Sequence, residues 1–240
     1  RVLDAFDTIS PEVVVSPKLR AALAALTGTF AEPAITSLLT DGNCTGMPAQ
    51  RIAFEEPPDY PELFARVTHT EEGARIVSIS PRLEGEPFER LMPLMTHEAV
   101  HCDDEDGLFE EIAATAFDSL LYSQLLTLDP ALVGGGTLLA RDLNADALAM
   151  FNSGRLAPES LGILPSIGVT QALPFTNQPS ASFAEFVADA YPQVTATQSP
   201  DEALAQAYVD VLRGLLGLPA GSAFDLVYLD ALIGAVADQA

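Results

Sequence analysis

Two of the chain's three histidines fall within one pentapeptide, His97-Glu98-Ala99-Val100-His101, and the spacing has a chemical meaning. Helical residues four apart lie one turn apart on the same face, so two imidazoles can direct nitrogens at one metal ion. The pattern reads as a zinc site, with Zn2+ as the cofactor. Glu98, next to the first ligand, can reach a water at the metal without entering the coordination shell and take its proton as a general base. Zinc makes that transfer feasible near neutrality by lowering the water's pKa. The plain alternative is a coincidental match on a solvated or core helix.

A catalytic zinc takes three protein ligands and leaves one position open. His69, the remaining histidine, lies upstream near an expected sheet. The extended pattern HExxHxxGxxH is excluded, because an acid stands where it needs glycine and Gly107 where it needs histidine. Cys102 follows His101 directly, but adjacent helical residues point about 100° apart. That leaves carboxylates, and Glu110 and Glu111 open the next expected helix. Helical-wheel angles set Glu111 nearly opposite that helix's apolar stripe and Glu110 beside it, which favours Glu110 if the metal lies between packed helices. First-turn acids also suit a helix dipole with no metal at all.

The run Asp103-Asp104-Glu105-Asp106 invites a calcium reading, yet an EF-hand registered on Gly107 would put Cys102 at its first ligand position and Ala113 at its last. A looser calcium site, a solvated turn or supporting partners for the histidines remain. Tyr122, His69, Arg155 and Tyr191 are candidate donors for stabilising developing negative charge. Spacing specifies none of them.

The run from Glu110 to Phe117 resembles the gluzincin arrangement of zinc peptidases, in which HExxH is followed by a glutamate on a second helix. In the thermolysin-like version that helix reads NExxSD. Matched by position, Glu111 takes the place of the third ligand, Ala114 the small residue, and Thr115 the acid that supports a histidine. Asparagine and aspartate are replaced here by Glu110 and Thr115, and the spacing from the second histidine is shorter than in thermolysin. The likeness covers His97 through Leu126. It implies an α+β, zincin-like fold and a metallopeptidase acting on a peptide or protein substrate, with the strand near Ile76 to Ser80 as one cleft wall and C-terminal helices as the other. The competing expectation is a zincin-like binding or scaffolding module that does not cleave.

These residues must be positioned by the surrounding elements. Ser16 and Gly28 bracket an expected helix from Pro17 to Leu26, and a second covers Pro33 to Leu39. Strand patterns occupy Arg51 to Phe54 and Arg75 to Ser80. The motif helix should run from Pro87 to Cys102, with Pro93 either kinking it or marking its first residue. Further helices are expected at Leu108 to Leu126, Thr137 to Met150, Phe183 to Ala190, Pro200 to Leu216 and Ala223 to Ala237. Asn152 to Ser182 reads as a long irregular connection. A division into 1–128, α+β with the motif, and 129–240, helical, follows, with one continuous domain as the alternative.

Composition narrows the rest. With 48% hydrophobic residues the chain can bury a core. Its net charge of −23 makes nucleic acid or an anionic membrane surface an unsuitable partner. No apolar run reaches the roughly 20 residues of a membrane span. The start at Arg1 without methionine fits an exported protein, secreted or in the cell envelope. Cys44 and Cys102 can form one disulfide in an oxidising compartment, or stay as buried thiols. Asn43-Cys44-Thr45 is a glycosylation pattern common by chance. Nothing in the sequence fixes peptide specificity or oligomeric state.

Overall fold

The computed structural model describes residues 1–29, 31–40, 48–101, 107–134 and 136–152. Cys44, Cys102 and any bridge between them, the loop Asp103 to Asp106, Arg155, Tyr191, the connection beyond Asn152 and the helices expected after it lie outside these residues.

The chain is α+β. It opens with helix α1, Val2–Thr8, and helix α2, Pro17–Ala25. Proline at the first position of α2 sacrifices no helical hydrogen bond, and Ser16 Oγ accepts from Lys18 N–H at 3.2 Å as its cap. Gly28, with φ +85°, turns the chain away toward α3, Glu32–Leu39. Three strands follow, β1 (Ala49–Phe54), β2 (Ala65–His69) and β3 (Arg75–Ile79). β3 lies in the middle, parallel to β1 and antiparallel to β2. Ile52 and Val67 both register against Val77, which fixes the sheet's buried face. The β2–β3 hairpin closes through a Thr70 N–H to Ala74 carbonyl bond of 2.9 Å, and Gly73 at φ +86° supplies the turn.

β2 is an addition to the elements the sequence pattern predicts. Its residues, Ala65-Arg66-Val67-Thr68-His69, carry only one strong apolar side chain, so the period-two signal is faint.

Three longer helices complete the described chain: α4, Phe88–Glu98, α5, Leu108–Leu128, and α6, Leu138–Asn152. A 3-10 turn, Pro130–Val133, connects the last two. α4 packs between α2 and α5, and α6 packs on α5. A continuous core runs from Ile9 to Ala147, so Leu132, Leu139 and Leu143 share it with residues before position 129. Among the described residues no helix is long and apolar enough to cross a membrane.

α5 is unusual for its burial. Every residue from Ala113 to Tyr122 is buried, although this stretch includes Thr115, Asp118 and Ser119 and is preceded by the buried Glu110 and Glu111. A helix buried all round is normally apolar. Polar groups in such a place need partners, and those of α5 find them on α4.

Pro93 sits inside α4 rather than at its start. Three residues earlier, Arg90 points its guanidinium at the turn after α5. It donates to the carbonyls of Leu132 (3.0 Å) and Gly134 and pairs with Glu86 at 2.9 Å. Arg90 and Glu86 are 6% and 3% exposed, which makes this a fully desolvated clasp.

Candidate metal centre

α4 ends at Glu98, inside the HExxH motif, and not at Cys102 as the sequence pattern predicts. Val100 N–H bonds back to the His97 carbonyl at 3.0 Å, so the last two steps of the motif form a tightened turn. His101 stands just beyond the helix. The turn still keeps both imidazoles on one side, with ring centroids 5.1 Å apart.

Carbonyls at a helix C-terminus lack partners within the helix, and here other elements supply them. Ser37 Oγ on α3 donates to the Ala99 carbonyl at 2.6 Å. Arg75, at the start of β3 and 1% exposed, donates to the His101 carbonyl at 3.3 Å and to the Ser37 carbonyl. A buried cation at the negative end of α4 is also favoured by the helix dipole. The histidines are thereby fixed to the sheet and to α3.

The third member comes from α5. Glu111 Oε2 lies 3.5 Å from His97 Nε2, and Oε1 lies 3.6 Å from His101 Nε2. Two donors each about 2.0 to 2.1 Å from one ion at a tetrahedral angle stand roughly 3.4 Å apart. The spacing is therefore close to that of a formed site. Among the described residues His97, His101 and Glu111 are the group that can hold a metal ion. Two imidazoles and a carboxylate, with one direction left open, form a donor set that fits zinc.

The other ring nitrogens are committed as well. His97 Nδ1 donates to Asp118 Oδ2 at 2.8 Å, and His101 Nδ1 donates to Glu110 Oε1 at 2.9 Å. These bonds keep a proton on Nδ1 and turn each Nε2 toward Glu111. Glu110 is therefore a histidine's partner in this arrangement, and Glu111 the carboxylate among the imidazoles. The supporting acid expected from the gluzincin likeness at position 115 is a threonine, and Asp118 does its work. Residues 111, 115 and 118 follow i, i+4, i+7 spacing along one face, so an acid one turn further on reaches His97. A search for acids seven residues past Glu111 would have found it.

Electrostatics follow from this crowding. Burial opposes a charge on His97, but the Asp118 hydrogen bond and the charges of Glu111 and Asp118 outweigh it and raise its pKa to about 9. Asp146 on α6 is pushed well above the usual carboxylate range by burial and then by Asp142, Asp118 and Glu111. Asp142, although exposed at the rim, is raised to about 6 by desolvation around its carboxyl and by Asp118.

A cleft of about 140 Å³ opens beside His97, Glu98 and Glu111. Its wall on the sheet side is Leu63 to Val67, the start of β2 and the two residues before it, and not the Ile76 to Ser80 strand that the likeness implies. β3 is the central strand, so β2 screens it. α6 forms the facing wall with Leu139, Asp142, Leu143 and Asp146, again at i, i+3, i+4, i+7.

The remaining sequence candidates lie elsewhere. The Tyr122 hydroxyl is buried and donates to Asn144 Oδ1 at 2.9 Å, joining α5 to α6, and it does not line the cleft. His69 ends β2 opposite Arg75, outside both the cleft lining and the metal-capable group. No protein family, curated protein or solved structure matches this chain.

Proposed function

We propose that the chain is a zinc-dependent peptidase of zincin-like architecture, with His97, His101 and Glu111 as metal ligands and Glu98 as the general base. The observation that carries this reading is that two Nε2 atoms and one carboxylate converge while each imidazole is held through Nδ1 by its own acid. Zinc, when bound, would act as a Lewis acid toward a carbonyl and lower the pKa of a coordinated water.

Glu98 is 4% exposed and lines the same cleft as His97 and Glu111. There it can take a proton from the attacking water and return it to the leaving amine, a role worth roughly a hundredfold to ten-thousandfold in rate. A peptide substrate is favoured over a smaller one by β2. Among the described residues β2 is an edge strand, with β3 on one side only. An extended peptide can bond to that edge through its main chain and cross the metal.

The test is zinc content together with a Glu98→Gln variant. The wild-type chain should bind about one equivalent of zinc, and Glu98→Gln should keep it while losing at least a hundredfold in hydrolysis of a mixed peptide library. A chain that takes up no zinc would defeat the reading. Zinc bound without hydrolysis by the wild type would favour a binding module.

A further inference from the structure

The cleft beside the metal is more acidic than catalysis needs. Glu111 faces the histidines, and Asp118 is occupied by His97 Nδ1 at 2.8 Å and Ser119 Oγ at 3.1 Å. Asp142 and Asp146 have no such role. Neither makes a hydrogen bond or ion pair with any described residue, and Asp146 is only 9% exposed. A buried carboxyl group in that state is costly unless something comes to meet it.

A second metal ion is a poor match, because among the described residues His97, His101 and Glu111 are the only group of three or more donors close enough together to share an ion. An organic cation fits better. The space of about 140 Å³ is close to that of a cavity that admits one benzene, enough for a single long side chain. Leu94, Leu139 and Leu143 line it and suit a methylene stem whose charged head reaches an acid. Arg66, the cation on the β2 wall, is turned to other partners: the Pro58 carbonyl at 2.6 Å, Asp59 at 3.7 Å and the Tyr60 ring at 4.6 Å.

We propose that this cleft receives an arginine or lysine side chain of the substrate, with Asp146 at its floor and Asp142 at its rim setting the preference. The proposal rests on the peptidase reading for its substrate, but the subsite can be measured by binding alone.

The probes are N-acetyl-arginine amide and N-acetyl-citrulline amide, of nearly equal shape and different charge, titrated into the zinc-loaded full chain by calorimetry. Arginine should bind about tenfold or more tightly than citrulline, as expected for a charge-assisted contact. Asp146→Asn should bring the ratio to within about twofold, and Asp142→Asn should reduce it less. Taking a ratio cancels any general loss from the substitutions, and the wild-type preference is informative without either variant. Equal binding of the two amides to the wild type would overturn the proposal. So would an unchanged ratio in Asp146→Asn. Arginine preference in a chain that cleaves no peptide would uphold the subsite and sink the peptidase. Hydrolysis with no preference for basic residues would do the reverse.

Discussion

Glu110 and Asp118 never touch the proposed ion, yet they decide which nitrogen of each histidine faces it. Partners of this kind typically change metal affinity 10- to 100-fold. Asp118→Asn and Glu110→Gln should each weaken zinc binding by about that factor in a chelator competition, whereas Glu111→Ala should abolish it. Stoichiometric zinc in Glu111→Ala would reassign the third ligand to Glu110. The raised pKa of His97 adds a pH dependence. Its value of about 9 in the metal-free fold exceeds the ordinary 6.5, so the protonated ring stabilises the folded state. That contribution is complete below about pH 6.5 and vanishes as pH climbs through about 9. Zinc needs the proton gone, so its apparent affinity should rise over the same interval and level off above it. Affinity that stays flat across that interval would contradict this. The sequence showed His97, Glu98 and His101 because a helical turn writes its spacing into the chain. It left Glu110 and Glu111 unresolved, because a helix-wheel argument treats one face as wet, and α5 is buried on all of them.

α4 carries the motif but does not hold its own ends. Ser37 and Arg75 complete its C-terminal carbonyls, while Arg90 ties its first half to the turn after α5. Arg90→Met should therefore leave Glu86 buried and unpaired and remove a donor from the Leu132 and Gly134 carbonyls. A loss of about 3 to 5 kcal/mol is expected for breaking one side of such a pair, readable as a lower urea midpoint with little change in slope. A loss under about 1 kcal/mol would show the clasp to be dispensable. The helices with local punctuation were legible: Ser16 and Gly28 bound α2, and Gly107 precedes α5. α1, whose Arg1 cap position makes no side-chain cap bond, and β2, with its weak alternation, had no such marks. Pro93 suggested a break where packing on α2 and α5 keeps the helix continuous.

Across the whole molecule, a net charge of −23 includes the acids of α5 and α6 that crowd one cleft. A divalent ion held by His97, His101 and Glu111 would join α4 to α5 and offset part of that repulsion. Zinc at a thousandfold excess over its Kd should add about 4 kcal/mol to folding stability, seen as a melting temperature that climbs with free zinc. In His97→Ala that climb should disappear. The arrangement of cleft walls was not legible, since Asp142 and Asp146 come to the cleft beside His97 and Glu111 only through the packing of α6 on α5. One feature of the sheet carries a cost of its own. Among the described residues β2 has an unpaired outer side, a row of backbone donors and acceptors that would serve another copy of the same protein as well as a peptide. The chain limits self-assembly by keeping the strand to five residues and placing Arg66 on it, clamped against Pro58 and Tyr60. Lengthening this strand, or neutralising that arginine, would turn the edge into a seed for fibrils.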